Sequence, residues 1–150
     1  MANFETIDEI LDFAIKNEEE AAGFYTELAS KNVSPGMTKL FTSFAAEEKG
    51  HKAKLLDIKK GKHLVPAKEK VMDLKIGDYL VDVEPSTDMK YQDILILAMK
   101  KEKAAFKMYT DLATRVEGDL QNTFLALAQE EAKHKLRFEV EYDDNILKEG

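Results

Sequence analysis

Residues Phe124–Phe138 read FLALAQEEAKHKLRF. Counted in alternating steps from Leu120, one face runs Leu120, Phe124, Leu127, Glu131, His134, Phe138. Steps of three and four place side chains on a single side of an α-helix. An apolar stripe of that kind faces a protein core, and here a carboxylate and an imidazole interrupt it. An ionised carboxylate in an apolar interior costs several kcal/mol or is forced to protonate. The stretch therefore predicts a helix that needs a cation partner at its centre.

The same pattern occurs a second time. Residues 41–51 read FTSFAAEEKGH, and Glu48 and His51 precede Glu131 and His134 by 83 residues. Ahead of each copy lies a matching segment: Glu18, six residues, then Tyr25-Thr26-Glu27-Leu28-Ala29. Its counterpart is Glu102, six residues, then Tyr109-Thr110-Asp111-Leu112-Ala113, an offset of 84 residues. The one-residue slip falls in the turn between the paired segments. Apolar helices resemble one another by composition alone. Reuse of Glu, Tyr and Glu-x-x-His at the same seam positions does not arise that way.

Around these segments the periodicity predicts four helices, over about 6–31, 35–60, 88–116 and 119–147. The first opens on Thr6 and Glu9, a capping-box spacing, and carries the seam Ile7, Leu11, Ala14, Glu18, Ala21, Tyr25, Leu28. Ser34-Pro35 reads as the cap and first position of the second helix, whose seam is Met37, Phe41, Phe44, Glu48, His51, Leu55, Ile58. Lys59, Lys60 and Gly61 suit its C-terminus. The third seam, after the capping residues Ser86-Thr87-Asp88, is Tyr91, Leu95, Ala98, Glu102, Ala105, Tyr109, Leu112, Val116. Gly118-Asp119 turns the chain into the fourth helix. Two short turns, near 32–35 and 117–119, make two helical hairpins. Residues 61–87, with Pro66, Gly77 and Pro85, break the pattern and form a long crossover; Asp78–Val83 alternates like a strand but is too short to found a sheet. Roughly 25 extended residues reach about 80 Å, ample to run along helices of about 37 Å. The expected fold is all-α: one domain over 1–150, a four-helix bundle of two helical hairpins joined by a long crossover.

Composition narrows the function. The formal net charge is −7 with acids and bases interleaved, unlike the basic face of a nucleic-acid binder. The absence of cysteine excludes disulfides, thiolate metal sites and cysteine nucleophiles. The longest apolar run, Ile94–Met99, is too short for a membrane span, and no signal peptide precedes the first helix. A cytoplasmic protein is the expectation.

Each seam thus carries one carboxylate, Glu18, Glu48, Glu102 and Glu131, and two add a histidine three residues on, His51 and His134. Two divalent ions would neutralise four carboxylates, and the imidazoles would complete the ligand set. This is the constellation that builds di-iron and di-manganese sites in four-helix bundles. Oxygen donors with imidazole and no thiolate suit Fe or Mn, with Zn or Co as substitutes. Glu48 and Glu131, beside the histidines, are the natural bridging ligands, and Glu18 and Glu102 the terminal ones. Tyr25 and Tyr109, one heptad beyond, are expected to hydrogen-bond ligand carboxylates of the opposite hairpin. A lone Glu-x-x-His on a charged helix is usually a solvated face; two copies, each tied to a seam Glu, are not. Glu19, Glu20, Glu47 and Glu130 fall off the seams and read as solvated or as supports of the ligands rather than ligands, with Glu47 and Glu130 the nearest competitors for a ligand role. His63 reads as a surface residue, and the six methionines as core filler.

At Glu18 with Tyr25, Glu48–His51, Glu102 with Tyr109, and Phe124 through Glu131 and His134 to Phe138, the sequence resembles the rubrerythrin branch of the ferritin-like superfamily, over roughly residues 5–147. The resemblance implies a non-haem centre of two Fe ions that reduces hydrogen peroxide, or dioxygen, in protection against oxidative stress. It also implies a homodimer or larger homo-oligomer. Two departures stand out. Rubrerythrins proper append a rubredoxin-like domain holding iron on four cysteines; without cysteine, electrons here must come from a separate, rubredoxin-type donor protein. The family also has an additional carboxylate about one turn beyond the first ligand of the third helix, where this chain has Ala104 and Ala105. Iron binding, storage or slow ferroxidase action with little peroxide turnover is the alternative, although ferritin cages need a fifth helix and this chain ends soon after the fourth.

Overall fold

The computed structural model describes residues 7–31, 34–61 and 90–144. They form four α-helices: α1 Ile7–Ala29, α2 Pro35–Gly61, α3 Tyr91–Ala113 and α4 Gly118–Tyr142. No strand occurs among the described residues. The helices group into two compact units, one holding α1 and α2, the other α3 and α4. The expected crossover, the alternating stretch at 78–83, His63 and the capping residues Thr6 and Ser86–Asp88 lie outside the described residues.

In the first unit, α1 and α2 pack as a hairpin. Asp12 pairs with Lys59, Glu19 with Lys52 and Glu18 with His51. From the Asp12–Lys59 pair to the pairs at Glu18 and Glu19 the partner number falls by seven or more as the other rises by six or seven, so the helices run antiparallel. Ser34 caps α2 as expected: its hydroxyl accepts the Met37 amide at 3.3 Å, satisfying one of the free donors of the first turn, and Pro35 follows at the first position. Lys59 and Lys60 lie in the last turn, where the helix dipole favours cations. Tyr25 stacks on Phe41 at 6.2 Å between ring centres and meets Phe44 edge-on at 5.8 Å, joining α1 to α2 near the turn.

The second unit repeats the arrangement. Tyr91 reaches Glu141, Glu102 reaches His134, and Tyr109 stacks on Phe124 at 6.1 Å. The turn differs from the expected one. The third helix ends at Ala113 rather than 116, because the Gln121 side chain donates to the Ala113 carbonyl at 2.9 Å and the Thr114 hydroxyl donates to the Asp111 carbonyl. These bonds satisfy end carbonyls that a further turn would otherwise use. The buried faces are wider than the seams. Ile10, Ile15, Ala22, Phe24, Ala45, Ile94, Leu97 and Met108 are buried as well, giving the broad apolar stripe of a core-facing helix.

Candidate metal centre

The interruptions in the apolar seams are buried. Glu18, Glu48, Glu102, Glu131 and His134 are each at most 2% exposed, in rows otherwise made of residues such as Leu11, Phe41, Leu95 and Phe124. Each sits mid-helix, so its backbone is held by helical hydrogen bonds and its side chain alone is available for chemistry.

In the first hairpin, Nδ1 of His51 lies 3.3 Å from Oε2 of Glu18 and 3.3 Å from Oε1 of Glu48. In the second, Nδ1 of His134 lies 3.5 Å from Oε2 of Glu102 and 3.9 Å from Oε1 of Glu131. Within each triad the donor atoms all lie within 4.8 Å of one another. Ligands about 2.1 Å from a shared ion stand roughly 3.0 Å apart at a right angle and roughly 3.4 Å apart at the tetrahedral angle. The His51 contacts have that spacing, and those of His134, at 3.5 and 3.9 Å, are somewhat wider. Two carboxylates and one imidazole supply hard donors whose charge a divalent cation matches, so the residues fit the metal centre that the sequence implied.

Burial works against a charge on His51. Hydrogen bonding to Glu18 and Glu48, with the charges of both, outweighs it and pushes its pKa up to about 10. In the metal-free protein His51 therefore carries a proton. A metal ion must displace that proton, because an imidazole ligates only when neutral.

The four acidic neighbours stand apart from the triads. Glu19, Glu20 and Glu47 are exposed and Glu130 is half-buried. Glu19 pairs with Lys52 at 2.8 Å and Glu130 with Lys133 at 3.5 Å. Tyr25 and Tyr109 are fully buried, one beside each aromatic stack. Ala104 and Ala105 occupy α3 one turn beyond Glu102, and Ala105 is buried, so neither position supplies a carboxylate.

One feature escaped the sequence reading. A groove runs beside the first triad, lined by Glu18, Ala22, Gly23, Glu27, Lys49 and Lys52 among others, and the His51 side chain is 12% exposed against 3% for His134. The signal was present in the repeat. Ala22-Gly23 answers to Phe106-Lys107 in the second copy, so bulk is missing on one side only.

Comparison with known proteins agrees with this layout. The rubrerythrin family pattern matches residues 9–83 and 93–149. A crystal structure of a candidate ferritin-like diiron-carboxylate protein from Thermotoga maritima is similar with a TM-score of 0.79 and 21% identity, covering 97% of this chain and 99% of that one. A hypothetical protein from Pyrococcus furiosus is similar with a TM-score of 0.71 and 32% identity, covering 91% of this chain and 87% of that one. No curated protein matches the sequence significantly. The fold is the ferritin-like four-helix fold. With the family pattern spanning both hairpins and all six predicted ligands, the chain belongs to the rubrerythrin family.

Proposed function

We propose that the chain is a non-haem di-iron oxidoreductase that reduces hydrogen peroxide, or dioxygen, with electrons from a separate donor protein. The observation that carries this reading is the doubled triad: two buried carboxylates and an imidazole in each hairpin, at ligand spacing. When bound, two ferrous ions supply one electron each, and with two protons a molecule of peroxide becomes two of water. The chain's residues do the rest. Glu18, Glu48 and His51 would hold one ion, and Glu102, Glu131 and His134 the other. The apolar surround limits side reactions. Tyr25 and Tyr109 steady ligand carboxylates through their hydroxyls. Among the described residues no helix is long and apolar enough to cross a membrane.

The missing carboxylate at Ala104 and Ala105 favours a second reading, iron binding or slow ferroxidase action with little peroxide turnover. One experiment separates the two. The protein is reconstituted anaerobically with Fe(II), the metal per chain is counted, and one equivalent of peroxide is added while ferric absorbance is followed. Two irons and rapid oxidation support peroxide reduction; two irons and slow oxidation support iron handling. One iron or none overturns both.

A further inference from the structure

The internal repeat is broken beside the first triad. Gly23 lies mid-way along α1, where glycine costs about 1 kcal/mol relative to alanine. A Cβ there would meet nothing within 4 Å, so close packing does not explain it. Its counterpart, Lys107, lays its ammonium on Asp111 at 2.8 Å, one turn on. The matching pair in the first copy would be position 23 with Glu27, and glycine leaves that span bare. Beside it, Ala22 stands where the second copy has Phe106. The groove opened by these two small residues is walled by Glu27, Lys49 and Lys52 and touches Glu18, itself a member of the triad. Glu19 pairs with Lys52, which offsets one of the two lysines.

We infer that this groove is the route by which a divalent cation enters and leaves the first triad, so that the ion at Glu18, Glu48 and His51 exchanges faster than the ion at Glu102, Glu131 and His134. The inference rests on the two-metal reading above. It follows from asymmetry in access: like ligands in both copies, but small residues, a groove touching Glu18 and a His51 side chain 12% exposed in the first, against Phe106-Lys107 and a His134 side chain 3% exposed in the second.

The test is release of Zn(II) from the fully loaded protein into excess chelator, followed by a colorimetric metal indicator. Wild type should release its metal in two phases of equal amplitude. Gly23→Met fills the groove without adding charge. It should slow the fast phase by about tenfold, the effect of about 1.4 kcal/mol of added barrier, and leave the slow phase unchanged. Gly23→Ala raises helix propensity equally without filling the groove, and should release like wild type. Release in a single phase, or a fast phase indifferent to Gly23→Met, overturns the route while leaving the two-metal reading intact. Fewer than two ions per chain overturns both.

Discussion

Nδ1 of His51 and Oε2 of Glu18 lie 3.3 Å apart, linking α2 to α1 at the point where both apolar seams turn polar. Without metal this contact acts as an ion pair, and its contribution depends on pH. The His51 pKa rises from the ordinary 6.5 to about 10 in the fold. A group raised on folding stabilises fully below its unfolded value and loses that contribution as pH climbs through its folded value. Metal-free protein should therefore melt at progressively lower temperature between pH 7 and 10, and Glu18→Gln should flatten the profile. Metal binding near pH 7 should expel about one proton from His51. Calorimetric titrations in buffers of differing ionisation enthalpy would detect it, and binding without proton release would contradict the assignment.

The second triad gives a prediction of opposite sign for stability and for binding. Glu131 and His134 are 1% and 2% exposed, and replacing buried paired groups with apolar residues of similar size is often neutral or stabilising by about 1–4 kcal/mol. The triple variant Glu102→Leu, Glu131→Leu, His134→Leu, which leaves no buried carboxylate without its imidazole partner, should melt at or above wild type when both are metal-free. Wild type should gain about 2.7 kcal/mol from an ion at a hundred times its dissociation constant, whereas the variant should lose most of that gain. Glu48→Ala or Glu131→Ala should abolish two-metal binding and peroxide turnover together. Turnover retained in either would refute the proposed centre.

Much of this centre was legible because its logic is periodic. Glu18, Glu48, Glu102, Glu131 and His134 are buried where steps of three and four placed them, and Ser34 caps α2 as its position before Pro35 implied. What periodicity missed depends on contacts it cannot register. The early end of α3 follows from the Gln121 side chain reaching back eight residues to Ala113. Burial of Ile10, Phe24 and Met108 reflects a stripe wider than one seam. The unequal exposure of the His51 and His134 side chains, 12% and 3%, arises beside the same Glu-x-x-His spacing, which does not register it.

At the far end of the second hairpin, the Tyr91 hydroxyl donates to Oε2 of Glu141 at 2.8 Å, and Arg137 lies 3.6 Å from the same carboxylate. Burial, then the bond to Glu141, holds the Tyr91 hydroxyl above its usual pKa, so it remains a donor throughout the physiological range. The bond joins the first turn of α3 to the last turn of α4. A hydrogen bond to a charged acceptor contributes about 1.5–3 kcal/mol when buried, and less at this half-buried position. Tyr91→Phe should cost about 1 kcal/mol in chemical denaturation and leave metal stoichiometry at wild type. Loss of metal would show that the hairpin end and the triad are coupled.

Gly118 opens α4 with φ at +69°, the left-handed region that costs an ordinary L-residue roughly 1–2 kcal/mol. A Cβ at this position would meet nothing within 4 Å, so the penalty is one of backbone conformation and not of crowding. Gly118→Ala should therefore destabilise by about 1 kcal/mol. Gly118→Asn should cost less, because asparagine tolerates this conformation better than other side chains. Urea denaturation of the three proteins, with metal removed, checks the order. Alanine and asparagine variants of equal stability would mean that the turn relaxes to a negative φ.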